Sequence, residues 1–126
     1  MNPRVQAAMK YLEEHLDQEV SVDEVARFVK LSASHLSHLF KAETGSPPMQ
    51  CLRSLRRQKA KQLLESTFLS VKEIMRKVGI ADESHFSRDF KKAFGASPLR
   101  YRERYLDRDR GKKEQLQSKT AGSAKK

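Results

Sequence analysis

The chain repeats itself, and that repetition limits what it can fold into. Leu69-Ser70-Val71-Lys72-Glu73-Ile74-Met75-Arg76-Lys77-Val78 echoes Val20-Ser21-Val22-Asp23-Glu24-Val25-Ala26-Arg27-Phe28-Val29, displaced by 49 positions. Beyond a turn, Ser34-His35-Leu36-Ser37 returns as Ser84-His85-Phe86-Ser87, Phe40-Lys41 as Phe90-Lys91, Gly45 as Gly95 and Pro48 as Pro98, now displaced by 50. One residue has entered the turn of the second copy. Two copies are too few for a solenoid, so the pattern describes a duplicated module with a connector.

Each copy reads as two short helices around a tight turn. Ser21 precedes Val22, Val25, Ala26 and Val29, an amphipathic stripe, and Glu24 completes a capping box. Ser32 then opens a run in which Ala33, Leu36 and Phe40 share a face, and Gly45 ends it before Pro47-Pro48. The second copy uses Ser70 and Glu73 as its box, a turn at Gly79, Asp82 ahead of Phe86, Phe90 and Phe94, and Gly95 as its stop. Between the copies, residues 49–66 hold no Gly or Pro and are rich in strong helix formers, which predicts one continuous helix. Its length is about 27 Å, close to the roughly 34 Å between successive major grooves on one face of B-DNA. A first helix from Pro3 to about Asp17 (Val5, Ala8, Met9, Leu12 and Leu16 on one face) and a last from Ser97 to about Leu106 complete an all-α chain of about seven helices. Residues 1–48 and 67–106 then form two helix-turn-helix subdomains, residues 49–66 link them, and residues 107–126 are a basic, disordered tail.

Charge narrows the function. The 126 residues carry 26 Lys+Arg against 16 Asp+Glu, and only 37% are hydrophobic, which fits a thin-cored binding module better than an enzyme with a deep cavity. Residues 1–24 carry a net charge of minus four, whereas residues 25–106 carry 17 basic and 7 acidic side chains. A basic body implies a polyanionic partner. Cys51 is the single cysteine, so neither an internal disulfide nor a multi-cysteine zinc site is expected. No apolar run reaches the roughly 18 residues of a membrane span, and a cytoplasmic protein without membrane contact is expected.

The outward positions of the second helix of each copy suit base reading. With Leu36 and Phe40 inward, Ser34, His35, Ser37, His38 and Lys41 point out; with Phe86 and Phe90 inward, so do Glu83, Ser84, His85, Ser87, Arg88 and Lys91. Arg88 can donate a fork to guanine, His38 can meet one base edge, and Glu83 can accept from cytosine N4. His35, Lys41, Lys91 and Lys92 suit phosphates, which set register without reading sequence. A polar helix face is usually a solvated one, but solvation alone gives no reason for Ser-His-x-Ser to recur at the corresponding place. His35 and His38, spaced i, i+3, lack a nearby carboxylate or thiol to complete a metal shell. Cys51 reads as a packing residue and Phe86, Phe90 and Phe94 as a core stripe. No phosphate-cradling loop or catalytic constellation appears, so no enzyme, metal or cofactor is expected.

Leu36-Ser37-His38-Leu39-Phe40-Lys41 in the first unit, with Gly79-Ile80, Phe86-Ser87-Arg88, Phe90-Lys91-Lys92, Gly95, Ser97-Pro98 and Tyr101-Arg102 in the second, resembles the DNA-binding domain of AraC/XylS-type bacterial transcription regulators. The resemblance spans roughly residues 5 to 105. It implies sequence-specific binding of double-stranded promoter DNA, two recognition helices in adjacent major grooves, and activation through RNA polymerase. It also implies that Ser34, Ser37 and His38, and Glu83, Ser84, His85, Ser87 and Arg88, read bases. Cys51 stands where such proteins often have an aromatic residue and Arg57 where they have an aliphatic one, which predicts looser packing around the linker. Family members usually carry a separate effector or dimerisation domain, so the chain reads either as an excised domain or as a freestanding small regulator. Because the repeat is head-to-tail, the expected site is asymmetric and the protein monomeric. Two other readings stay open here. One is an RNA-binding or anti-sigma-like adaptor; the other is a protein-interaction module offering Arg53, Arg56, Arg57, Lys59 and Lys61 to an acidic partner.

Overall fold

The computed structural model describes residues 1–108, among which there are seven helices and no strand. They are α1 (Pro3–Glu14), α2 (Val22–Phe28), α3 (Ala33–Thr44), α4 (Pro48–Ser66), α5 (Val71–Val78), α6 (Glu83–Phe94) and α7, residues 98–108. The basic tail expected from residue 107 lies outside the described residues from 109 onward, and residues 107 and 108 belong to α7.

Side-chain caps fix most helix ends. The hydroxyls of Ser21, Ser32 and Ser70 and the carboxylate of Asp82 each accept from a backbone N–H three residues on, at 3.0–3.2 Å. The Ser70–Glu73 box closes in both directions, whereas at Ser21 only the forward bond from Glu24 forms among the described residues. Gly45, Gly79 and Gly95 stop their helices in the left-handed region. Two boundaries differ from expectation. The linker begins one residue earlier, because Pro48 occupies its first turn, where a missing N–H costs nothing. Helix α1 stops at Glu14 rather than Asp17: the His15 ring stacks on Tyr11 with Nδ1 2.8 Å from the Tyr11 carbonyl, and the chain turns away.

Two hydrophobic cores result. Val5, Ala8, Leu12, Val25, Ala26, Val29, Leu36, Phe40 and Leu52 form the first; Ala60, Leu64, Ile74, Met75, Val78, Phe86 and Phe90 form the second. Helix α4 runs unbroken for 19 residues and lends Leu52 to the first core, then Ala60 and Leu64 to the second. Leu16 packs against both.

The two halves also touch directly. Gly79 has φ +76, and a Cβ there would lie 2.6 Å from the Leu16 carbonyl oxygen and 3.0 Å from Asp17 Cα. Arg56 of α4 donates from Nε to the Leu16 carbonyl at 2.6 Å and from Nη2 to that of Gln18 at 2.7 Å. The segment between α1 and α2 is thus gripped by the linker on one side and pressed by the second unit's turn on the other.

Candidate nucleic-acid interface

Helices α3 and α6 are built alike. Both have 12 residues, an N-terminal side-chain cap and a left-handed C-terminal glycine. From the second residue on, buried, half-buried and exposed positions follow in the same order along the two helices. Leu36 and Phe40 anchor α3 in the first core; Phe86 and Phe90 anchor α6 in the second, Phe90 edge-on to Phe86, Phe94 and Tyr101.

On α3, Ser34, His35, His38 and Lys41 are exposed and Ser37 is half-buried beside the core stripe. On α6, Glu83, Ser84, His85, Arg88, Lys91 and Lys92 are exposed and Ser87 is half-buried, matching Ser37. The fold therefore gathers the expected residues into two polar ridges, one per helix. Several of these charges also serve the helix that carries them. Glu83 sits in the first turn of α6, Lys41 in the last turn of α3, and Lys91 and Lys92 in the last turn of α6, each complementing the helix dipole.

The linker's basic side chains serve the fold more than expected. Arg57 donates from Nη1 to both carboxylate oxygens of Asp89 on α6, at 2.9 and 3.1 Å. At Arg57, where looser packing was expected, the charge has a partner on the neighbouring helix. Lys61 lies over the Phe94 ring, 5.4 Å from its centroid. With Arg56 and Arg57 turned to internal partners, the linker face proposed for an acidic partner loses two of its five cations. Desolvation lowers the pKa of Arg56, against an opposing pull from Asp17. Nothing in sequence periodicity marked Asp89, which lies 32 positions from Arg57.

Cys51 is half-buried, its Sγ 3.4 Å from Met9 Sδ, and burial followed by the nearby charge of Glu13 raises its thiol pKa. That environment holds the thiol protonated and suits packing. Among the described residues, no three His, Cys, Asp or Glu side chains converge as metal ligands would. No helix among them is long and apolar enough to cross a membrane.

A family model described as a helix-turn-helix domain matches residues 25–104. The arabinose operon regulatory protein of Salmonella typhimurium is 40% identical over 103 residues, which are 81% of this chain and 37% of that protein. The chain thus spans little more than a third of that relative's length. Among solved structures, the C-terminal domain of AraT, a response regulator from Geobacillus stearothermophilus, is 38% identical with a TM-score of 0.75, over 81% of this chain and 85% of that one. The DNA-binding domain of AdpA, a global transcriptional factor solved in complex with a target DNA, is 28% identical with a TM-score of 0.79, over 85% and 96%.

Proposed function

The chain belongs to the AraC-type helix-turn-helix family, and from that premise we propose that it binds double-stranded promoter DNA in a sequence-specific manner as the DNA-reading part of a bacterial transcription regulator. The observation that carries this reading is the pair of matched polar ridges on α3 and α6, each anchored by a core that shares the unbroken α4. A helix of this kind enters the major groove with short polar side chains at base edges. In this reading Ser34, Ser37 and His38 read one half-site, and Glu83, Ser84, His85, Ser87 and Arg88 read the other. His35, Lys41, Lys91 and Lys92 hold phosphates and set the register.

The two ridges belong to one chain in head-to-tail order, so the site is a direct, asymmetric pair of half-sites read by a monomer. We assign the protein to the cytoplasm, without catalysis, and RNA polymerase as its partner in activation. An effector or dimerisation domain is the further partner this reading leaves room for. Selection from a pool of random duplexes tests the proposal: the bound fraction is expected to converge on an asymmetric bipartite motif. Convergence on a palindrome, or no enrichment over structured RNA at the same salt, would overturn it.

A further inference from the structure

We propose that Arg57 and Asp89 are positioning residues for base reading by α6: together they set where that helix lies against the linker and cancel a carboxylate that would otherwise stand unpaired beside Arg88. The inference rests on the DNA-reading role proposed above.

The geometry is specific. One Arg57 nitrogen bridges both oxygens of Asp89, and the two side chains are only 21% and 27% exposed. A pair so withdrawn from water is coupled more tightly than a surface pair, and removing one partner leaves a poorly solvated charge behind. Asp89 follows Arg88 directly and lies one turn beyond His85, so its charge is carried by the recognition helix itself, on the flank that faces α4. Opposite a phosphate-lined groove, an uncompensated carboxylate there repels the duplex.

The pair also fixes direction. Arg57 meets Asp89, and four residues further along α4 Lys61 meets Phe94, five residues further along α6. Contacts in the same order along both helices hold the axis of α6 at two points. The repeat supplies the comparison: Leu39, at the position corresponding to Asp89, packs against the first core, so at this one position α3 makes an apolar contact and α6 an ion pair. The ionic seat also leaves Arg57 Nε buried with no hydrogen-bond partner among the described residues, which weakens it as a pure stability device. An apolar pair would hold the helix at least as well. What the ionic version adds is a defined direction and a neutralised recognition helix.

The test uses the full chain and the duplex recovered by selection, with versions in which either half-site is scrambled. Arg57→Leu, Asp89→Asn and the double variant Arg57→Leu/Asp89→Val are compared with the wild type by thermal melting, binding, and base preference at each position. Arg57→Leu is expected to lower affinity for the intact duplex roughly tenfold, the scale of weakening one good base contact. That loss should vanish on the duplex whose α6 half-site is scrambled. The double variant is expected to recover the wild-type melting temperature while its base preference in that half-site stays broadened. Losses shared equally by both half-sites, or wild-type base preference in the double variant, would overturn the inference. A wild-type protein that selects no duplex would instead overturn the reading beneath it, and the two failures are separately visible.

Discussion

Lys30 and Gly79 occupy the same point of the repeated unit, both in the left-handed region, with φ +60 and +76. Identical hydrogen bonds close the two turns: Leu31 donates to the Ala26 carbonyl and Ile80 to that of Met75, each at 2.9 Å. Lys30 is exposed and its side chain has room, whereas Gly79 abuts the Leu16 carbonyl. Lys30→Gly is expected to change stability by about 0 to +1 kcal/mol, relief of left-handed strain set against glycine's extra unfolded entropy. Gly79→Ala is expected to destabilise by about 2 kcal/mol or more, because strain and a backbone clash add. Urea unfolding of both variants measures the contrast. For DNA, Arg88→Ala is expected to lose about 1–3 kcal/mol and relax preference at one base pair, while Lys91→Ala weakens all sequences alike and flattens the salt slope by about one. Titrations of specific and random duplexes over a salt series separate the two. The serine, histidine and arginine ridges were readable in the sequence because the repeat duplicates their context. Arg57–Asp89 was not, since a pair joining two helices leaves no local period.

Helix ends were legible wherever one residue sets them: Ser21, Ser32, Ser70 and Asp82 start helices and Gly45, Gly79 and Gly95 stop them. The end of α1 was not, because side-chain contacts decide it: the chain turns where His15 stacks on Tyr11, and Arg56 then holds the carbonyls of Leu16 and Gln18 against α4. Helix α7 is docked in a similar way. Arg102 donates to the carbonyls of Leu64, Thr67 and Leu69 at 3.1, 3.2 and 2.5 Å, and the Tyr101 hydroxyl donates to Glu65 of α4. Burial, then the bond to Glu65 and its charge, raises the pKa of the Tyr101 phenol well above its usual value. A raised pKa in the folded state gives stability that is fully present below the unfolded value, about 10, and is lost as pH rises from there through the folded value. The melting temperature is therefore expected to fall as pH rises above about 10, and Tyr101→Phe to flatten that fall. Calorimetry across this range checks it.

At the scale of the molecule, the two cores are not free to move independently. The unbroken α4, the shared Leu16, the fit of Gly79 against Leu16 and Asp17, and the Arg56 clasp tie them into one body. The wild type is expected to unfold in a single calorimetric transition. Arg56→Leu, which frees the clasp and leaves both cores intact, is expected to broaden or split it. A caliper without a hinge measures one length. Each base pair inserted between the half-sites rotates the second by about 34° and shifts it about 3.4 Å, out of phase with a protein that has no joint to follow it. The spacing of its operators should therefore be as strictly fixed as their letters.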